Sequence, residues 1–225
     1  MPIGTLLAYW DFEDGPGSGM ARDQSGNDHT GILEGLSPSN AWVTGHTGRG
    51  LEFPSPPANK SAGVRIARTP DIENLRAFTI GAWFKRGGAS TGVLVSRQIG
   101  SSNDEVFYLG CYQSNLVAYI PTSDQGAVSG ASGAGAAPVG KWTHAAATYD
   151  GTWLRLYADG LEVAAGQYVD RLRSSTTPVY IGNNKNTTYE EPFEGIIDDV
   201  VIYSSALSPA KIKLLVSGVS PKTIM

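Results

Sequence analysis

Cys111 is the only cysteine in 225 residues, so no internal disulfide can staple the fold. Its place in the apolar run Phe107-Tyr108-Leu109-Gly110-Cys111-Tyr112 predicts a buried, unreactive thiol. Basic charge is also short: 17 Lys and Arg stand against 21 Asp and Glu, a net charge of −4. No basic stripe forms, so nucleic-acid binding has no electrostatic footprint. No run approaches the ~18 apolar residues of a membrane span, so no membrane insertion is expected. The N-terminus lacks the basic and apolar regions of a signal peptide. Only three histidines occur, His29, His46 and His144, scattered too widely for a zinc motif. His144 lies inside an apolar run and reads as a satisfied sheet residue. No G-x-S-x-G elbow provides a hydrolase nucleophile. Asp11 and Glu13 alternate on one strand, but no E-x-D-x-x-E run supplies the paired carboxylates of glycoside hydrolysis. The expectation is a protein that is not an enzyme.

Glycine, by contrast, is abundant: 28 residues, against an average near 7%. It punctuates β-branched and aromatic runs, the pattern of strands joined by tight turns. Strand-like runs fall at residues 6–12, 64–67, 78–84, 92–96, 107–111, 116–120, 142–149, 153–158, 161–165, 179–181 and 196–203. Asp150-Gly151 and Asp159-Gly160 sit between such runs and supply the positive φ of hairpin turns. Residues 143–165 therefore read as a three-stranded meander. Helix is confined to a turn or two near the C-terminus, where Ser208 caps and Pro209 opens it. Residues 71–75 read as a single further turn. The Gly-, Ala- and Ser-rich segment 126–140 reads as a long mobile surface loop, not a linker. The prediction is an all-β, two-sheet antiparallel sandwich of jelly-roll type over residues 1–225. Its core covers about residues 6–216, with short tails free to dock on partners.

Several segments recur in one known order. They are Tyr9-Trp10-Asp11-Phe12-Glu13, Asp23-Gln24-Ser25-Gly26-Asn27, Gly48-Arg49-Gly50-Leu51-Glu52-Phe53 and Phe78-Thr79-Ile80-Gly81-Ala82-Trp83-Phe84. Trp142-Thr143-His144 through Asp150-Gly151, Leu156-Tyr157-Ala158-Asp159-Gly160, and Phe193-Glu194-Gly195-Ile196-Ile197-Asp198-Asp199 with Ala206-Leu207-Ser208 complete it. In this order the set resembles the laminin-G-like jelly rolls of the concanavalin-A-like lectin/glucanase superfamily, over nearly the whole chain. The fold hosts many functions. The resemblance implies a lectin-like module for a glycan or cell-surface ligand. The alternative is a virion surface or capsid-decoration protein whose partners are capsid proteins. Either would act outside a cell or on a virion surface.

Two groups of side chains are candidates for a site. The 23–31 loop offers oxygens from Asp23, Ser25, Asn27 and Asp28, of the kind Ca²⁺ binds. The resemblance implies that Glu13, Asp23 and Asn27 approach Asp198 or Asp199 around a structural Ca²⁺. Strand alternation places Asp198 on the face of Val200 and Ile202, where a carboxylate needs a partner. The same groups could instead cap turns and bond backbone amides. For a glycan, aromatic faces beside loops with nearby amides are the relevant chemistry. Trp42, Trp153, Asn183, Asn184 and Tyr189 are the candidates. Trp10, Trp83 and Trp142 lie in strand-like runs and are expected in the core.

Overall fold

The computed structural model describes residues 4–55, 61–98, 105–122, 127–168, 172, 175–185 and 191–224. Strands β1 (Leu6–Trp10), β2 (Met20–Ala21), β3 (Gly31–Glu34), β4 (Trp42–Thr44), β5 (Arg49–Phe53) and β6 (Gly63–Ile66) precede a helical turn, α1 (Pro70–Glu73). Then come β7 (Phe78–Arg86), β8 (Gly92–Gln98), β9 (Glu105–Tyr112), β10 (Asn115–Thr122) and β11 (Ala127–Gly133). The chain continues through β12 (Trp142–Tyr149), β13 (Trp153–Ala158), β14 (Leu161–Gln167), β15 (Val179–Ile181) and β16 (Gly195–Tyr203). It closes with α2 (Pro209–Val216) and a 3₁₀ turn, Pro221–Thr223.

The strands form two antiparallel eight-stranded sheets. One runs β14-β13-β12-β7-β16-β5-β4, with β1 pairing β16. The other runs β11-β10-β9-β8-β15-β6-β3-β2. Period-2 alternation gives each sheet one apolar face. On β7 these are Phe78, Ile80, Ala82 and Phe84; on β12 they are Ala145, Ala147 and Tyr149. All belong to one buried cluster with Leu94, Leu109, Leu116 and Ile181 of the opposite sheet. Trp10 is fully buried there, and its indole N–H donates to the His29 carbonyl at 2.9 Å. Cys111 is buried in the same core, and that burial pushes its thiol up to about 12.

Every strand-like run expected from the sequence is found. Ala158–Leu161 closes as a two-residue turn, with Asp159 and Gly160 both at positive φ, as a type I′ turn requires. The Asp150-Gly151 turn is longer, pairing Tyr149 with Leu154; Asp150 Oδ1 accepts the Thr152 and Trp153 N–H groups. Ser208 caps α2, its hydroxyl accepting the Lys211 N–H.

Segment 126–140 corrects the expected loop. Gly126 lies outside the described residues, but β11 pairs with β10 over seven positions, from Thr122↔Ala127 to Leu116↔Gly133. Low side-chain bulk is what allows it. A Cβ at Gly130 would lie 2.4 Å from the Tyr119 ring, and one at Gly133 would lie 2.5 Å from Val163. Small residues let β11 close the sandwich edge near β14. The C-terminal tail also departs from expectation. It folds back on the outer face of the first sheet, where Tyr203 donates to the Pro221 carbonyl and Ile224 is buried. Among the described residues, no helix is long and apolar enough to cross a membrane.

Candidate functional site

The faces of the first sheet decide where its polar side chains go. The core takes Phe78, Ile80, Ala82 and Phe84, so Thr79, Gly81 and Trp83 point outward. On β12 the same alternation sends His144 and Ala146 outward. Cross-strand pairing then aligns His144, Trp83 and Asp198 in one row, and Ala146, Gly81, Val201 and Tyr9 in the next. A β-bulge interrupts β16 between Asp198 and Val201, with Asp199 at φ 48°. The extra residue shifts the alternation by one. Ile197, Val200 and Ile202 therefore face the core, while Asp198 and Val201 face outward.

Three walls stand on this floor. Leu207, Ile212 and Leu215 pack on Val201 and Tyr203, which brings Leu215 and residues 218–221 to one side of the row. The 45–48 turn between β4 and β5 forms the second wall. Buried Asp198 holds it through Oδ2, which accepts the His46 and Thr47 N–H groups at 2.8 and 3.1 Å. Gly45 leaves room for this carboxylate, since a Cβ there would lie 2.5 Å from Asp198 Oδ2. The anchored turn stacks the His46 imidazole on the Trp83 indole, with centroids 3.6 Å apart and planes 8° from parallel. Trp142 meets His46 edge-on at 5.6 Å, and His144 meets Trp83 edge-on at 5.3 Å. Tyr9 and Asp199 make the third wall, joined by a 2.7 Å bond from the Tyr9 hydroxyl to Asp199 Oδ1. The cleft so enclosed is about 230 Å³, below the ~300–1,000 Å³ of pockets for drug-sized ligands. It suits one small ring.

The cleft is electrostatically acidic. Burial pushes the Asp198 carboxyl up to about 7, and the neighbouring Asp199 charge adds to the shift. Burial also raises Asp199; its bond from Tyr9 opposes this, and the Asp11 charge reinforces it. Burial first, then Asp199, raises the Tyr9 hydroxyl. Burial lowers His46, with Asp199 opposing. His144, which is 2% exposed, is pushed down to about 4 by burial. Both imidazoles are therefore neutral at neutral pH. The His144 backbone N–H donates to Asp159 at 2.8 Å, but its Nδ1 has no partner among the described residues. His144 is thus not the satisfied sheet residue expected from sequence. A small polyhydroxylated ring could meet the Asp199 carboxylate and the Tyr9 hydroxyl oxygen beside the Trp83 and His46 rings.

The side chains expected to gather around Ca²⁺ hold turns instead. Asp23 accepts the Tyr9, Ser25 and His29 N–H groups at 3.0, 2.8 and 3.0 Å, plus the Ser25 hydroxyl at 2.7 Å. Asn27 directs its amide N–H groups at the Leu6 and Leu7 carbonyls, bracing the loop against β1. Glu13 accepts the Arg49 N–H at 2.8 Å. Asp198 is on the outer face because of the bulge, and Asp199 bonds Tyr9. Asp23 and Asp198 have their oxygens engaged by N–H and O–H donors, and the set does not converge as the ~6–8 oxygens of a Ca²⁺ site would. Among the described residues, no group of three His, Cys, Asp or Glu side chains gathers to hold a metal.

Of the expected glycan contacts, Trp42 is a core residue, packed edge-on against Phe12 with its indole N–H donating to the Ser18 carbonyl. Asn183 is fully buried, donating to the Ala62 carbonyl and accepting the Asn184 N–H, and Asn184 is buried beside it. These two amides brace the backbone after β15 and have no surface to offer. Tyr189 lies outside the described residues. Trp153 is exposed at 37%, with the Arg155 guanidinium 5.3 Å from its ring centre, and it does not line the cleft. Trp83, expected in the core, lines the cleft instead. The missed signal was its strand partners: Trp83 alternates with Phe84, so it shares a face with Gly81 and Thr79.

Comparison with known proteins supplies the family. Residues 58–213 match the laminin-G-3 family profile, described as the concanavalin A-like lectin/glucanases superfamily. No curated protein matches the chain. Among solved structures, domain 4 of AbnA is similar, with a TM-score of 0.71 and 19% identity, covering 95% of this chain and 98% of that one. AbnA is an extracellular GH43 arabinanase from Geobacillus stearothermophilus, and that structure holds arabinotriose. The binding domain of Paraclostridial Mosquitocidal Protein 1 scores 0.71 at 17% identity, covering 95% of this chain and 52% of that one. The botulinum neurotoxin DC binding domain in complex with SialylT scores 0.69 at 11% identity; 96% of this chain and 52% of that one are covered. This chain thus spans about half the length of the two toxin domains. At these identities the likeness establishes the jelly-roll fold alone. The profile match covers most of the chain, and by it this protein belongs to the concanavalin A-like lectin/glucanases superfamily.

Proposed function

We propose that the protein is a non-catalytic carbohydrate-binding module acting outside the cell, and that the Trp83–Tyr9–Asp199 cleft receives a terminal sugar ring of a glycan or glycosylated surface ligand. The observation that supports this most is the cleft's composition. The Trp83, His46 and Tyr9 rings stand beside an Asp199 carboxylate, in a volume near that of one ring. Sugars need this mix, since their C–H faces pack on aromatic surfaces while their hydroxyls need paired polar groups. The AbnA domain binds arabinotriose and the botulinum DC domain binds SialylT in their solved complexes, so two other proteins of similar fold hold sugars.

Retention on a broad panel of immobilised oligosaccharides, arabino-oligosaccharides and sialylated glycans included, tests the reading. Saturable binding to at least one glycan, competed by the same sugar in solution, is the expected outcome. Silence across the panel, with binding instead to a capsid lattice, would replace it by the virion-surface alternative.

A further inference from the structure

Asp199 lines the cleft, and no lysine or arginine is among the described residues that line it. Asp11, Glu13, Asp198 and Asp199 lie near one another, and among the described residues none of the four pairs with a lysine or arginine within 4.0 Å. Burial first, and then neighbouring carboxylate charge, keeps Asp11, Asp198 and Asp199 raised. His46 is the basic group acting on Asp199, and burial leaves it less basic than usual. His144 is neutral and fully inside. Asp198 has both oxygens engaged, by His46, Thr47 and the Asp199 N–H. Asp199 has only one engaged: Oδ1 accepts from Tyr9, while Oδ2 makes no hydrogen bond among the described residues. Half-buried Asp199 lines the cleft, so it brings a carboxylate with one unengaged oxygen to that space.

We infer that the cleft selects sugars by charge, taking a ring that bears a protonated amine in preference to its neutral N-acylated form, and rejecting a ring that bears a carboxylate. The inference rests on the carbohydrate-binding reading above. An ammonium on the ring would give Asp199 Oδ2 the charged donor it lacks, and charge-assisted bonds are about twice as strong as neutral ones. A carboxylate would enter a partly desolvated space beside Asp199 with no cation to meet it, where like charges repel strongly. His144 Nδ1 is sealed from water, so it makes no contact with any of the three forms.

One chito-oligosaccharide backbone prepared in three forms gives a matched test: free amine, N-acetylated and N-succinylated. Calorimetric titration at low salt and neutral pH, where Asp199 is more fully ionised than in acid, should rank them amine, then N-acetyl, then N-succinyl. The amine form should bind roughly tenfold tighter than the N-acetyl form, and the N-succinyl form should show no saturable binding. Asp199→Asn keeps the side-chain shape and tolerates the positive φ of the bulge. It should bring the amine and N-acetyl affinities to within about twofold of each other, with the melting midpoint showing that the variant stays folded. An N-acetyl form that binds as tightly as the amine, or an N-succinyl form that binds equally well, would overturn the charge rule and leave the carbohydrate reading intact. No binding of any form would sink the charge rule together with the assignment of the cleft as the sugar site. A preference unchanged in Asp199→Asn would also overturn it, since the discriminating charge would then lie elsewhere.

Discussion

Trp83→Ala is expected to weaken glycan binding at least tenfold, and about 30-fold if Trp83 acts as an aromatic hot spot. The indole forms the cleft floor and is also the surface on which His46 stacks at 3.6 Å. Removing it deletes the floor and releases one wall. The fold should survive, because Trp83 faces outward from β7 while Phe78, Ile80, Ala82 and Phe84 hold the core. A cost of ~1–2 kcal/mol, or roughly 2–8 °C in melting midpoint, covers its lost packing. Trp153→Ala is the matched control, since Trp153 is exposed but distant from the cleft, and its affinity should stay within about twofold. Unchanged binding in Trp83→Ala, or loss in Trp153→Ala alone, would move the site to the other tryptophan.

Asp23→Ala is expected to cost about 3 kcal/mol or more and to lower the midpoint by roughly 6–12 °C. Each buried donor left without an acceptor costs ~1–3 kcal/mol, and Asp23 serves three backbone N–H groups and one hydroxyl. One of these N–H groups belongs to His29, whose carbonyl anchors the Trp10 indole, so the loss reaches the core. Asp23→Asn, which keeps one oxygen, should fall between. Burial alone would raise the Asp23 carboxyl, but the N–H groups of His29, Tyr9 and Ser25 more than offset it, and the net shift is downward. A folded-state value below the unfolded one means the stabilisation is full above the unfolded value near 4. It is lost as the pH falls through the folded value. The deficit of Asp23→Ala, read from urea melts, should therefore shrink in acid. A neutral-pH difference under ~1 kcal/mol would show that water replaces the carboxylate.

The sheets were legible because apolar alternation and Asp-Gly turns are local signals, and both survive in single segments such as β7 and the Ala158–Leu161 turn. β11 was not, because Ala, Gly and Ser have no apolar pattern. What recruits them into the sheet is the partner strand β10, far from visible in their own residues. The site was the least legible part. The β16 bulge inverts the alternation after Asp198, so a correct strand assignment placed Asp198 on the wrong face. Trp42, Asn183 and Asn184 sit beside turns as surface residues do, yet tertiary packing buries them. Trp83 could have been assigned outward from its own strand. The walls that complete its cleft come from residues 9, 46–47 and 215–221, which only the fold brings together.

Site-resolved nuclear magnetic resonance tests the central claim most directly. The isotope-labelled protein would be titrated with whichever neutral oligosaccharide the panel retains. The largest shift changes should fall on the Trp83 indole N–H, the His144 ring, and the backbone of Asp199 and residues 218–220. The indole signals of Trp10, Trp42 and Trp153 should stay in place. Changes centred on Trp153, or on the outer face of the second sheet, with the Trp83 and His144 signals unmoved, would contradict the account.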